Sequence, residues 1–217
     1  MVTIEVAGRP LGLLPQKAAL LPDSRTLLIA DAHIGKAASF RALGVPVPRG
    51  TTSETLAALS ELVARHEARR IVFLGDFLHA RAAHAGATLA ALARWREAHA
   101  ALALVLVRGN HDDRAGDPPA SLGFEVVDEP LRDGALALCH HPAPRDDAYV
   151  IAGHLHPCVS LRGRAHERLR LPCFHVGPRV AVLPAFGSFT GMHALRRGEG
   201  ERVFAVAGDD ALYEVPA

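Results

Sequence analysis

The sequence predicts an α/β domain organised on a parallel sheet, and three observations carry that expectation. First, the apolar runs Thr26 to Ala30, Ile71 to Leu74 and Leu102 to Val107 are short and bounded by polar residues, as buried strands are. Second, the stretches between them carry helical spacing: Leu56, Leu59, Leu62 and Val63 in one, Leu89, Leu92 and Trp95 in the other. The order over residues 26 to 111 is therefore β-α-β-α-β, which calls for right-handed crossovers and parallel strands. Third, each strand run ends in a polar cluster, where open α/β sheets place their ligands.

Residues 2 to 30 read as short strands with turns at Gly8-Arg9-Pro10 and Pro22-Asp23-Ser24. Lys36 to Gly50 reads as a polar, Pro- and Gly-rich connection, long enough to suggest a substrate-facing loop, whose Lys36, Arg41 and Arg49 are available to a phosphate. Thr51-x-x-Glu54 fits a capping box opening the first helix. The alanine-rich stretch from about Gly86 is the second helix, with Trp95 in the core. Beyond residue 112 short strand runs follow without clear helices: Phe124 to Val127, Ala135 to Cys139, Tyr149 to Ala152, Cys173 to Val176, Val180 to Leu183, Val203 to Val206 and Leu212 to Val215. They predict an additional, mostly antiparallel sheet. Arg162, Arg164, Arg168 and Arg170 form a basic run in a loop, suited either to a nucleic-acid backbone or to solvent. Phe186 and Phe189 read as core.

Composition narrows the class. A chain of 217 residues buries about 70% of its unfolded surface without help from disulfides. A net charge of +1 leaves an acidic partner to a local patch or a metal. Cys139, Cys158 and Cys173 make no CxxC pair and no secreted framework, so a reducing, cytoplasmic setting is expected. Met1 to Pro10 lacks the pattern of a signal peptide, and no apolar run approaches the roughly 20 residues of a membrane span. One domain, residues 1–217, is expected, because both halves contribute to one ligand set.

The polar clusters are Asp31-Ala32-His33, Gly75-Asp76, Gly109-Asn110-His111-Asp112, Cys139-His140-His141 and Gly153-His154-Leu155-His156. Any one alone reads as an ordinary turn; five at successive strand ends read as a metal centre. Asp31, His33, Asp76, Asn110, His140, His154 and His156 together exceed what one catalytic ion uses and suit two. One carboxylate must bridge the pair, and Asp76, on the middle strand, is the natural choice. Two dications against two Asp carboxylates and one hydroxide leave the centre net positive, which favours a phosphodiester anion and added charge in the transition state. No cysteine is needed, which argues against a structural zinc knot. The mixed nitrogen and oxygen donors suit Mn, Fe, Zn or Co.

The ordered set D-x-H, GD, GNHD, H and GHLH over residues 31 to 156 resembles the calcineurin-like metallophosphoesterase superfamily. The resemblance implies a two-sheet β-sandwich flanked by helices (α-β-β-α) around a dinuclear centre. It implies that Asp31, His33, Asp76 and His156 hold one metal and that Asp76, Asn110, His140 and His154 hold the other. It also implies that His111 protonates the leaving oxygen as general acid after in-line attack on phosphorus. His140 is preferred to His141 because the ligand comes straight off the strand. Where the superfamily often has a second Asp after the GD motif, this chain has His79, which leaves open what orients His111. Gly-Asp-x-x-His also occurs in the nuclease branch that processes double-strand breaks.

Asp31-Ala-His-Ile-Gly-Lys36, Gly44-Val-Pro-Val-Pro-Arg-Gly-Thr51, Leu74-Gly-Asp-Phe-Leu-His79, Gly153-His-Leu-His-Pro157, Leu171-Pro-Cys-Phe174 and Leu183-Pro-Ala-Phe-Gly-Ser-Phe-Thr-Gly191 are similar to the bacterial ligase-associated DNA damage response endonucleases. That similarity implies two divalent ions, manganese first, a single-stranded or structured DNA substrate, and association with a DNA ligase and a helicase. Lys36, His79 and Arg81 are the expected substrate contacts, chosen from a wider set with Arg41, His84, Arg114 and His193. Two other readings compete. One is a small-molecule phosphodiesterase, for a nucleotide, a cyclic nucleotide or a lipid-precursor pyrophosphate. The lipid enzymes carry a helical lid, and residues 113 to 139 contain no amphipathic helix to supply one. The other is an inactive scaffold, disfavoured because every expected ligand is present together with His111.

Overall fold

The computed structural model describes residues 1–47, 50–162, 168–188, 190–208 and 210–216. Its elements in chain order are β1 (Val2–Val6), β2 (Arg9–Leu14), β3 (Ala18–Leu21), β4 (Thr26–Ile29), α1 (Lys36–Ala42), α2 (Thr51–Arg65), β5 (Arg70–Leu74), α3 (Gly86–Ala98), β6 (Ala103–Val107), α4 (Asn110–Ala115) and β7 (Phe124–Val127). They continue with β8 (Leu131–Asp133), β9 (Leu136–Leu138), β10 (Tyr149–Ala152), β11 (Pro157–Arg162), β12 (Arg168–Val176), β13 (Val180–Val182), β14 (His193–Ala194), β15 (Arg202–Ala207) and β16 (Ala211–Glu214).

Two sheets result. The first runs β1-β2-β3-β4-β5-β6-β7; its first four strands are antiparallel neighbours and β4 to β7 are parallel. The second runs β14-β11-β12-β13-β10-β9-β8, with β15 and β16 extending from β12. The period-2 alternation of the buried strands assigns their faces. Leu28, Val72, Leu74, Val105 and Val107 point to one side of the first sheet and meet Leu138, Ile151, Phe174 and Phe204 of the second. Their neighbours Leu27, Ile29, Ile71, Phe73, Leu104 and Leu106 point to the other side, under Leu56, Leu59, Leu62, Leu92 and Trp95 of α2 and α3. The sandwich flanked by helices is thus built from strands that read as continuously apolar because both faces are covered. Trp95 is in this core, its indole N–H donating to Ser60 Oγ at 3.0 Å.

Several local expectations are corrected. Lys36 to Ala42 is helical: this stretch has no Gly or Pro, and the turn-forming residues begin only at Gly44. Thr51 caps nothing. It is the first residue of α2, and Gly50 precedes the helix at φ 98°, where its carbonyl accepts the Glu54 N–H. Phe124 to Val127 pairs in parallel with β6 and so closes the first sheet rather than opening the second. The centre of the second sheet, β9-β10-β13, is parallel, whereas the outer pairs of β12 and β15 are antiparallel as expected. Of the basic run, Arg168 and Arg170 lie on β12, which pairs antiparallel with β11; Arg170 donates to the Met192 carbonyl at 2.6 Å. Arg49, Arg164 and Phe189 lie outside the described residues, whereas Phe186 is core. No helix among the described residues is long and apolar enough to cross a membrane.

Candidate metal centre

The C-terminal ends of β4, β5 and β6 in the first sheet and of β9 and β10 in the second open onto one place. Here the backbone is unusual. Asp31, His33, Asp76, His154 and His156 all sit at positive φ, between 45° and 70°. Non-glycine residues rarely do this, at a cost on the order of 1 kcal/mol each, and such strain concentrates at functional positions. The five residues lie within four positions of the ends of β4, β5 and β10, where left-handed steps bend the chain off the strand direction.

Cross-links hold these turns. His33 N–H donates to the Asp76 carbonyl at 2.9 Å, and Ile34 N–H to the Phe77 carbonyl at 2.7 Å. The Asp31 carboxylate accepts the His154 N–H at 2.9 Å across the sandwich. Asp76 accepts the His111 N–H at 2.9 Å. Two glycines let the sheets approach. A Cβ on Gly75, in the first sheet, would collide with the His140 ring from the second; a Cβ on Gly153, in the second, would stand 2.6 Å from Asp31 Oδ2 of the first.

The side chains converge in two groups that share Asp76. In one, His156 Nε2 is 3.3 Å from Asp31 Oδ1 and His33 Nε2 is 3.8 Å from Asp76 Oδ2. In the other, His140 Nε2 is 3.0 Å from Asn110 Oδ1, 3.0 Å from His154 Nδ1 and 3.5 Å from Asp76 Oδ1. All seven residues singled out as metal ligands are therefore brought together. Outer hydrogen bonds orient the rings: His140 Nδ1 faces the Leu74 carbonyl at 3.0 Å, and His156 Nδ1 the Gly191 carbonyl at 3.0 Å. Each ring N–H spent on a carbonyl leaves Nε2 with a lone pair toward the centre.

This donor set fits divalent cations. Asp31 is fully buried and Asp76 nearly so, yet neither has a lysine or arginine in ion-pair contact among the described residues. Asp31 Oδ1 is buried and lacks a well-directed hydrogen bond; His156 Nε2 stands 3.3 Å away. Buried carboxylates are retained when paired or when they coordinate metal. Two of the imidazoles are held toward their neutral, ligating form. Burial, with Lys36 and the neighbouring histidines, pushes His33 down to about 2, and burial with His140 and His141 lowers His154. His156 differs: burial lowers it, but the Asp31 carboxylate outweighs that and raises it.

His111 stands at the rim on α4, its side chain about one third exposed and its Nε2 3.9 Å from Asp76 Oδ2. Its Nδ1 donates to the carbonyl of His79 at 2.8 Å. The orienting partner left open by the missing second Asp is thus a backbone oxygen of the residue that replaces it. The His79 ring also stacks on His111 at 4.9 Å, is backed by Phe40, and brings its Nδ1 to 3.4 Å from His33 Nδ1. Burial, Lys36 and His111 push His79 down to about 4, so it is uncharged at neutral pH. Lys36, half-buried at the start of α1, feels the fields of Asp76 and Asp31. Arg81 is exposed in the 3-10 turn Arg81–His84.

Two acidic residues escaped the sequence reading. Asp112 is buried, and its carboxylate accepts the Gly109 N–H at 3.0 Å and the Leu78 N–H at 3.1 Å, tying the β5 and β6 turns together. Burial raises it to about 6. Its place as the last residue of GNHD was a signal that went unused. Glu129, between β7 and β8, binds the His140-His141 segment, and nothing local in the sequence marks it.

Across its whole length this architecture has a counterpart. The Pseudomonas putida nuclease MPE matches with 46% identity and a TM-score of 0.88 over 99% of each chain. The E. coli phosphoesterase Yfce, 16% identical over 88% of this chain and 97% of its own, has a TM-score of 0.39; the Aquifex aeolicus protein AQ665, 19% identical over 60% and 78%, has 0.40. Likenesses as low as these last two support no conclusion about the chain. No curated protein matches it. Residues 24–177, which span every strand end described above, match the calcineurin-like phosphoesterase family, and the chain belongs to that family.

Proposed function

We propose that this protein is a phosphodiesterase that cuts DNA with two divalent ions, manganese first among them. The observation that carries the reading is the pair of buried carboxylates, Asp31 and Asp76, ringed by imidazoles from both sheets, with no lysine or arginine among the described residues in ion-pair contact. Asp31, His33, Asp76 and His156 would hold one ion; Asp76, Asn110, His140 and His154 would hold the other. When bound, such a pair supplies positive charge for the phosphodiester and activates water for in-line attack.

The remaining chemistry belongs to the chain. His111 has its Nδ1 hydrogen committed to the His79 carbonyl, so Nε2 is the atom that delivers a proton to the leaving oxygen. Its partial exposure lets a bulky leaving group reach it. The stack of Phe40, His79 and His111 keeps the ring from turning away. Lys36, close enough to feel the fields of Asp76 and Asp31, is the proposed contact for a non-bridging phosphate oxygen, and exposed Arg81 the proposed contact for the strand further out.

DNA as substrate is supported by the likeness to a nuclease over the whole chain. The role in repair, beside a ligase and a helicase, rests on the likeness of the loop sequences to the ligase-associated endonucleases. A cytoplasmic setting is supported by three buried cysteines that form no disulfide. The deciding experiment incubates the purified protein with Mn²⁺ and single-stranded circular DNA, and in parallel with bis-aryl and mono-aryl phosphates, with Asp31→Ala as control. Linearised circles and hydrolysed diester, both lost in the control, are the expected result. Diester hydrolysis with intact circles would instead make the protein a small-molecule phosphodiesterase, and no hydrolysis at all would leave a scaffold.

A further inference from the structure

The Glu129 carboxylate collects three hydrogen bonds from two successive residues. Oε2 accepts the backbone N–H of His140 at 2.7 Å and of His141 at 2.9 Å, and Oε1 faces His141 Nδ1 at 2.8 Å. Glu129 follows β7, at the edge of the first sheet, and precedes β8, where the chain has crossed to the second. His140 follows β9. The contact therefore clamps a turn of one sheet from the end of the other.

Two successive N–H groups aimed at one oxygen fix the peptide that joins them. That sets the direction in which the His140 side chain leaves the backbone. The rotation of the ring is fixed independently by Nδ1 on the Leu74 carbonyl. Held at both ends, His140 is wholly buried and its Nε2 faces Asn110, His154 and Asp76. His141, one residue on, is turned outward and spends its Nδ1 on Glu129. The His141 ring still lies beside those of His140 and His154, 4.8 and 4.7 Å between centroids, so the two histidines must be told apart by experiment.

We propose that Glu129 is the positioning residue of the second metal position, acting through the backbone of His140 rather than as a ligand. The inference rests on the assignment of His140 as a ligand of that ion. Outer partners of this kind govern metal affinity even though they never touch the ion.

The test is calorimetric titration of the metal-free protein with Mn²⁺, paired with electron paramagnetic resonance, which separates isolated Mn²⁺ from a spin-coupled pair. Wild type should take up two ions and show the coupled signal, and Asp76→Ala should show neither. Glu129→Ala should keep the first binding step, weaken the second by about 10–100-fold and lose the coupled signal at concentrations that saturate wild type. Glu129→Gln, which keeps an oxygen for the backbone N–H groups, should fall between them, and serves alone if the alanine variant does not fold. His141→Ala leaves both backbone bonds in place and should bind as wild type does. Two tight ions in both Glu129 variants would overturn the inference alone. A loss in His141→Ala equal to that in Glu129→Ala would also overturn it, by making His141 the ligand. Fewer than two ions in wild type would remove the metal assignment itself, and this inference with it.

Discussion

The two sheets contribute to the centre in different ways. The first sheet supplies both carboxylates, the amide and one imidazole, from turns that are bonded to one another: His33 to Asp76, Ile34 to Phe77, Leu78 and Gly109 to Asp112, and His111 to Asp76. The second supplies three imidazoles. Its turns hold to the first sheet through Asp31, which accepts the His154 N–H on its carboxylate and the Gly187 N–H on its carbonyl, and through Glu129. The first half is thus a self-supporting platform of negative charge, whereas the second is a set of imidazole donors docked onto it. The charge that attracts metal is rigid, and the part that completes the coordination depends on contact between sheets.

The largest effect should come from the residue both groups share. Asp76→Ala removes the bridging carboxylate and the acceptor of the His111 N–H together. Loss of both ions and of activity by several orders of magnitude is expected. Metal analysis after gel filtration checks it, and two retained ions would end the picture of a single platform. Next is His111→Ala, which leaves the ligands untouched. Turnover of DNA or an alkyl diester should fall by about 10²–10⁴-fold, the usual share of a general acid. An aryl diester, whose leaving oxygen needs no proton, should be hurt far less. Equal loss on both substrates would remove the general-acid role from His111.

A third prediction bears on how the halves are joined. If the ions draw the second sheet onto the first, metal removal should cost stability as well as activity. At a free concentration of 100 times Kd, binding contributes about 2.7 kcal/mol. For a chain of this size that corresponds to a fall in Tm of about 5–10 °C on chelation. Hydrogen exchange should then rise at His154 to His156 and stay low at Asp31 to His33. Equal exchange at both sites would mean that the platform also needs metal.

The same asymmetry decided what could be read without coordinates. The parallel strands of the first sheet were legible because they are apolar on both faces, and their ligands because each falls within four residues of a strand end. In the second sheet the strands themselves were legible, but not which neighbours they take. The parallel pairing of β9, β10 and β13 depends on long-range closure, to which alternation is blind. Phe124 to Val127 looks the same in either sheet. The lost capping box at Thr51 has a local cause, since Gly50 takes up a left-handed turn that a side-chain cap does not need. The hidden acids have a distant one. Asp112 serves a backbone N–H 34 residues away besides the local one of Gly109, and Glu129 one 11 residues away; no spacing rule reaches the distant partners.

Asp112 offers the finest test of the platform. Its two oxygens accept two buried N–H groups, Leu78 and Gly109, one from each of two neighbouring turns. Asparagine has the same shape but one acceptor, so Asp112→Asn leaves one N–H facing an NH₂ group. The cost should be about 1–3 kcal/mol, that of an unsatisfied buried donor. The pH dependence identifies the cause. Because burial lifts this carboxyl from 3.8 to about 6, the folded chain holds its proton over a range where the unfolded chain has released it. The group's contribution is full below pH 3.8 and is lost as pH rises through about 6. Wild type should show this slope in denaturant titrations of the metal-free protein, and Asp112→Asn should not. If both proteins share the same slope, another group carries it, and Asp112 serves the turns as an ionised acceptor throughout.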